Sequence, residues 1–300
     1  MSFDLHADEG LLAGIRRIAH SELDKSIREI DDRELARHET VHQVRKRCKK
    51  LRGLVRLVRP AMEKVYKAEN KALRDAARNL SDIRDATSII STYDNVMHLF
   101  SDQANQKSFA SIRRELTARL SAIKDTLLDE RLLVMRQQLV GVKTRVNDWS
   151  FDDQTFEPAR AGLTKTRLQA VKALREAKKN PTTIRLHDFR KRVKYHWYHL
   201  QILQGLWPAA IDSLIIESGQ LGDELGDDHD LAIFSETVLQ LPEQFGSPHD
   251  VQVLQELINR HRQILQKTIF SRAAYLFTED TEAFTLRLES YWKLWSGRSD

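Results

Sequence analysis

Two separate stretches of this chain recur at one spacing, and that repeat limits what it can fold into. His42-Gln-Val-Arg45-Lys46-Arg47-Cys-Lys49 matches His187-Asp-Phe-Arg190-Lys191-Arg192-Val-Lys194 at an offset of 145 residues. Leu80-Ser-Asp82-Ile-Arg84-Asp85 matches Leu225-Gly-Asp227-Asp-His229-Asp230 at the same offset. Internal self-similarity of this kind marks a duplicated structural unit. The unit is helical. Val41, Val44, Cys48, Leu51, Val55 and Val58 recur at spacings of three and four, and so do Leu186, Phe189, Val193, His196, Leu200 and Leu203. That is the apolar stripe of a helix packed on one face.

The six prolines fall at breaks in helical periodicity, where proline is tolerated. Between them the pattern predicts helices at about 9–31, 39–59, 61–101, 107–147, 156–179, 182–205, 208–240, 248–278 and 281–296, and no strand. The expected fold class is all-α: two pseudo-symmetric four-helix bundles, residues 9–147 and 156–296, joined near 148–157. They form one domain around a central basic groove. Charged residues at 30% and hydrophobic residues at 41% suit a helical protein with a sizeable core.

Charge is unevenly placed. Residues 42–59 hold eight Lys/Arg and no acid, whereas 212–230 hold seven Asp/Glu and no Lys or Arg. On the first motif helix His42, Arg45, Lys49, Arg52 and Arg56 form one row about 21 Å long, about 100° around from the apolar stripe. Lys46 and Lys50 widen it. The second helix repeats His187, Arg190 and Lys194, widened by Lys191, and then turns aromatic at Trp197. Like charges at i,i+4 repel by a few tenths of a kcal/mol each, so an external anion is expected to neutralise these rows. A chain of phosphates suits a line of forked guanidiniums and mobile ammoniums. The plainer alternative, a solvated basic face, is weakened because the row occurs twice at equivalent positions.

His42-x-x-Arg45-Lys46-x-x-Lys49-Lys50-Leu51-Arg52, followed by Leu80-x-x-x-Arg84-Asp85, resembles the first half of the CHAD domain (conserved histidine α-helical domain). Leu186-His187-x-x-Arg190-Lys191-x-x-Lys194-Tyr195, followed by Leu221-Gly222-x-x-Leu225-Gly226-Asp227-x-x-Asp230-Leu231, resembles its second half. The resemblance runs from about residue 9 to 296. It implies paired helical bundles around a basic surface that binds inorganic polyphosphate; a non-enzymatic binding module is expected. The ligand-facing candidates it implies are His42, Arg45, Lys46, Lys49, Lys50, Arg52, His187, Arg190, Lys191 and Lys194. Arg16, Arg17, Arg56, Arg160 and Lys165 are secondary candidates. Some members carry a triphosphate-tunnel domain, whose Glu-x-Glu-x-Lys run does not occur here. Trp197, standing where the first copy has Arg52, predicts that the first half carries more of the affinity.

Other readings carry less. Asp223, Glu224, Asp227, Asp228, His229 and Asp230 include proper metal ligands, but only Asp82/Asp227 and Asp85/Asp230 repeat. Asp85 and Asp230 are therefore expected to pair with a motif-helix cation or to cap a neighbour, holding the basic side chains in place, and no metal or cofactor is expected. Gly219, Gly222 and Gly226 lie at helical spacing and suit close helix approach. Tyr195, Trp197 and Tyr198 would stack bases if nucleic acid were the ligand, which makes nucleic acid the second choice of partner. Cys48 sits on the apolar stripe as packing. Met1-Ser2-Phe3-Asp4 lacks a basic stretch followed by an apolar core, and no apolar run approaches the ~20 residues of a membrane span. A cytoplasmic protein is expected, with polyphosphate-containing granules as a setting and no membrane partner.

Overall fold

The computed structural model describes residues 3–100, 106–121, 125–152, 155–240, 242 and 247–297; the side chains of 84–86, 106–111 and 125–126 fall outside that description. The described residues are helical, with no strand. The helices are α1 (Leu11–Asp31), α2 (Arg37–Leu57), α3 (Glu63–Arg78), α4 (Ser81–Leu99), α5 (Gln106–Ser121), α6 (Asp125–Val146), α7 (Glu157–Lys179), α8 (Thr183–Ile202), α9 (Pro208–Gln240), α10 (Pro248–Leu276) and α11 (Thr281–Trp295), with a 3-10 turn at Gln204–Leu206. None is long and apolar enough to cross a membrane.

Both apolar stripes point inward along their whole length, and His196 in the second is fully buried with its aliphatic neighbours. Helices α1, α2, α3 and α6 share one core, to which the ends of α7 and α8 and the helix α11 also contribute. Helices α7, α8, α9 and α10 share another. The two meet where α2 crosses α8. The backbones come close there because Gly53 has no side chain: an added Cβ would sit 2.9 Å from Tyr198 Cβ. His199 is fully buried beside it, with Nε2 3.0 Å from the Gly53 carbonyl oxygen. A second close approach lies at Gly162 on α7, where an added Cβ would fall 1.6 Å from the Leu57 carbonyl oxygen.

The structure corrects two predicted helices. The stretch 61–101 is two helices, parted at Asn79–Leu80. The carbonyls left open at the end of α3 are claimed by cations and a hydroxyl. Arg45 donates to Ala77 O, Ser81 Oγ to Arg78 O at 2.7 Å, and Arg131 to Asn79 O at 3.2 Å. Positive charge suits a helix C-terminus, whose last carbonyls have no partner of their own. The equivalent position in the second copy, Leu225, lies inside the unbroken α9. The stretch 107–147 likewise contains α5 and α6, and residues 122–124 between them lie outside the described residues. These two helices pack apart. α6 lies on α1 and α3, while α4 lies on α9, and α4 and α5 share a small core with the end of α9 and the start of α10. Tyr93, Val96 and Phe100 bury there with Phe234, Val238 and Leu254, and Tyr93 meets Phe234 edge-on at 6.1 Å.

Candidate functional site

The α2–α8 crossing brings the two basic rows to one surface. His42, Lys46 and Lys49 are exposed along α2, and Lys191 is exposed along α8. Lys194 lies close enough to Lys46 and Arg190 to feel both charges. Burial, opposed by Asp223, then holds its ammonium below the ordinary lysine range. Lys50 is shifted the same way, first by burial and then by its cationic neighbours Arg47 and Lys46, against the pull of Glu22. Its ammonium stands 4.2 Å from the centre of the Phe3 ring. Lys46 acts on both ammoniums, and like charges gathered in this way raise the local positive potential.

On α8 the row is laid flat by α9. The small residues at Gly219, Gly222 and Gly226 admit Trp197, Lys194 and Arg190 in turn. Added Cβ atoms would lie 3.3 Å from Trp197 Nε1, 2.9 Å from Lys194 Cδ and 3.0 Å from Arg190 Nη2. The glycines thus receive side chains, beyond the close helix approach read from their spacing. Lys194 is then held by Asp223 at 2.8 Å and lies 4.3 Å over the Trp197 ring.

The acidic stretch of α9 is spent on such partners. Asp228 is fully buried and takes Arg262 at 3.1 Å and Gln266 at 2.9 Å, while Glu224 takes Arg272 at 3.1 Å. Among the described residues no group of three or more His, Cys, Asp or Glu side chains could hold a metal ion. The orienting residue for Lys194 is therefore Asp223. Asp230 accepts a hydrogen bond from Ser88 Oγ at 3.0 Å, and the side chain of Asp85 lies outside the described residues. Asp227 lies near enough to Arg190 to feel its charge. Burial, and then Asp230 and Asp223, raise it above the usual carboxylate range despite that arginine.

His187 packs against His229 with ring centres 4.2 Å apart and the planes tilted by 33°. Burial, His229 and the nearby Lys191 and Arg190 push its imidazole down to about 4, so it is neutral at pH 7. Cys48 is buried, and its thiol is pushed up to about 12 by that burial, as its place on the apolar stripe implies.

Three of the secondary candidates point elsewhere. Arg16 donates to the Trp149 carbonyl, and Arg17 is clamped by Glu9 at 2.5 Å and the Asp4 carbonyl at 2.8 Å. Arg160 is held by Glu157 at 2.5 Å and Glu289 at 3.3 Å. Lys165 is exposed on α7 and acts on Glu63. Arg56 is 7% exposed and lies 4.1 Å over the Tyr195 ring, and Arg52 lies 5.9 Å over the same ring. Arg59 and Arg192 were absent from the row read in the sequence, yet they join Arg56 at its inner end.

An all-helical fold with a cationic seam where two repeat-related helices cross defines the class of protein. A family model described as "CHAD domain" matches residues 18–239, and the chain belongs to that family. The fold is similar to the crystal structure of the CHAD domain from the plant Ricinus communis, with a TM-score of 0.67 and 14% identity over 93% of this chain and 96% of that one. No curated protein sequence matches the chain.

Proposed function

We propose that this protein is a non-enzymatic binding module for inorganic polyphosphate, and that the two repeats are halves related by an approximate twofold with one shared groove between them. The observation that carries this reading is that Lys46 of α2 and Arg190 of α8 both lie near enough to Lys194 to act on its charge. Cations from both rows act on one strip of surface, and a flexible line of phosphates can follow both. In this reading His42, Lys46, Lys49 and Arg52 on α2 and Arg190, Lys191 and Lys194 on α8 touch the anion. His187, neutral at pH 7, acts by packing against His229. The proposed setting is the cytoplasm, including polyphosphate-containing granules.

The aromatic side chains favour polyphosphate over nucleic acid. Base stacking needs an open ring face. Tyr195 is 8% exposed under Arg56, Tyr198 is 4% exposed against Gly53, and Trp197 already carries Lys194. The test is a competition titration at fixed salt between long-chain polyphosphate and single-stranded DNA of equal charge. Preference for polyphosphate supports the reading; equal binding, or a clear loss on Trp197→Ala for DNA alone, overturns it in favour of nucleic acid.

A further inference from the structure

At the inner end of the α2 row four guanidiniums converge from three segments, and they are poorly compensated. Arg52 Nε and Arg56 Nη2 share one acceptor, Asn70 Oδ1, at 3.1 and 3.5 Å. Arg192 Nη1 and Arg59 Nη2 share another, Gln169 Oε1, at 2.9 and 3.5 Å. Tyr66 completes the wall, its ring centre 5.4 Å from Arg56 and 6.0 Å from Arg59. Both acceptors are neutral amides. Among the described residues no carboxylate lies within ion-pair distance of Arg52, Arg56 or Arg59. The nearest acid of the cluster is Asp188, 3.5 Å from Arg192 and also shared with Lys191 at 3.2 Å.

Arg56 and Arg59 are 7% and 6% exposed, and the Nε of each is buried with no hydrogen-bond partner among the described residues. Burial and the charge of Arg56 push the Arg59 guanidinium below the ordinary arginine range. Buried cations are normally paired, because an uncompensated one is costly to desolvate. The cluster is closed at Arg56 and Arg59 and open toward Arg192, whose side chain is 27% exposed.

We infer that Arg52, Arg56, Arg59 and Arg192 form a terminal-phosphate pocket, which seats the doubly charged end group of a phosphate chain and so anchors it at one end of the groove. This deepens the polyphosphate reading and rests on it for the chain that follows. An internal phosphate carries about one negative charge, whereas an end group with a second pKa near ~6 carries close to two at pH 7. Forked guanidiniums bind such a group through paired hydrogen bonds. A buried, cation-rich pocket with neutral walls selects the higher charge density.

The experiment is calorimetric titration with linear tripolyphosphate and with trimetaphosphate, the ring of the same phosphorus count that has no end groups. The expected result is that the linear anion binds at least about tenfold more tightly than the ring. Arg59→Gln and, separately, the more exposed Arg192→Gln should each remove about tenfold of the linear affinity and bring the two anions close together. Equal binding of chain and ring by the wild-type protein overturns the inference, as does a linear preference that survives both substitutions. Circular dichroism of each variant shows whether Arg59→Gln still folds; if it does not, Arg192→Gln decides. Failure of long-chain polyphosphate to bind would remove the proposed function while leaving a small-anion site at these arginines measurable. Long-chain binding with no end-group preference would remove only this inference.

Discussion

Replacing Lys46 and Lys194 together by Gln removes one charge from each row where the rows meet, and the size of the effect follows from counterion release. A flexible anion that neutralises Z of its phosphates on the protein loses affinity with salt at a log–log slope near −0.7Z. The surface cations of the seam, Lys46, Lys49 and Arg52 on α2 with Arg190, Lys191 and Lys194 on α8, set Z at about six. The slope should then be about −4, a loss of about 300-fold in affinity between 50 and 200 mM salt. Removing two charges lowers the slope to about −3 and the loss over that range to about fiftyfold. Lys194 is already desolvated and its partner Asp223 is 76% exposed, so the substitution leaves no buried charge behind. The assay is fluorescence anisotropy of end-labelled polyphosphate at several salt concentrations. Arg17→Gln and Arg160→Gln serve as controls, because both arginines are held by acids elsewhere. A slope unchanged in the double variant, or lowered as much by the controls, would refute the assignment of the seam.

Further outcomes concern the frame. Gly162→Ala forces a Cβ onto the Leu57 carbonyl, backbone against backbone, and should cost about 3 kcal/mol, or about 5 °C in Tm for a chain this long. Gly141→Ala on α6 meets only Arg145 Nη1 at 3.5 Å and should instead gain up to ~1 kcal/mol from helix propensity; thermal melts giving both variants the same sign would count against the α2–α7 contact. Burial pushes the imidazoles of His187 and His199 down to about 4 and about 3, below the unfolded value of 6.5, so the unfolded chain binds protons first as pH falls. Stability from these groups should be fully present above about pH 6.5 and decline as pH drops toward 4; denaturant melts showing no loss across that window would exclude neutral burial. Cys48 should resist thiol reagents in the folded protein and react on unfolding; rapid labelling of the native chain would contradict its burial.

The repeat and its apolar stripe made the helices legible, because a packed face imposes a spacing on the chain that residue identity alone reveals. The break at Asn79–Leu80 was hidden by the same logic. Apolar periodicity runs through it, and what holds it open is Arg45 and Arg131 arriving from helices distant in sequence. The basic rows were legible as rows, but the fate of each cation was not. Arg17 and Arg160 are cations like Lys46, but Glu9 holds the first, and Glu157 and Glu289 hold the second. Arg59 and Arg192 were present in the charge run and the repeat, yet their shared acceptor Gln169 lies on α7. Only the tertiary contact joins them.

The notches at Gly222 and Gly226 have a consequence for binding energetics. A lysine or arginine ordered by its ligand gives up as much as ~2 kcal/mol of rotamer freedom. Lys194 and Arg190 lie against α9 with that freedom already curtailed, and Asp223 and Trp197 fix the ammonium before any anion arrives. Their contribution is preorganised, as a rigid ligand's is. Lys46 and Lys49 are the more exposed cations, along α2. The longer row supplies more charge, and the shorter one supplies charge already in place. If polyphosphate is the ligand, as proposed, the seated cations of the second half would make the slower-dissociating contacts.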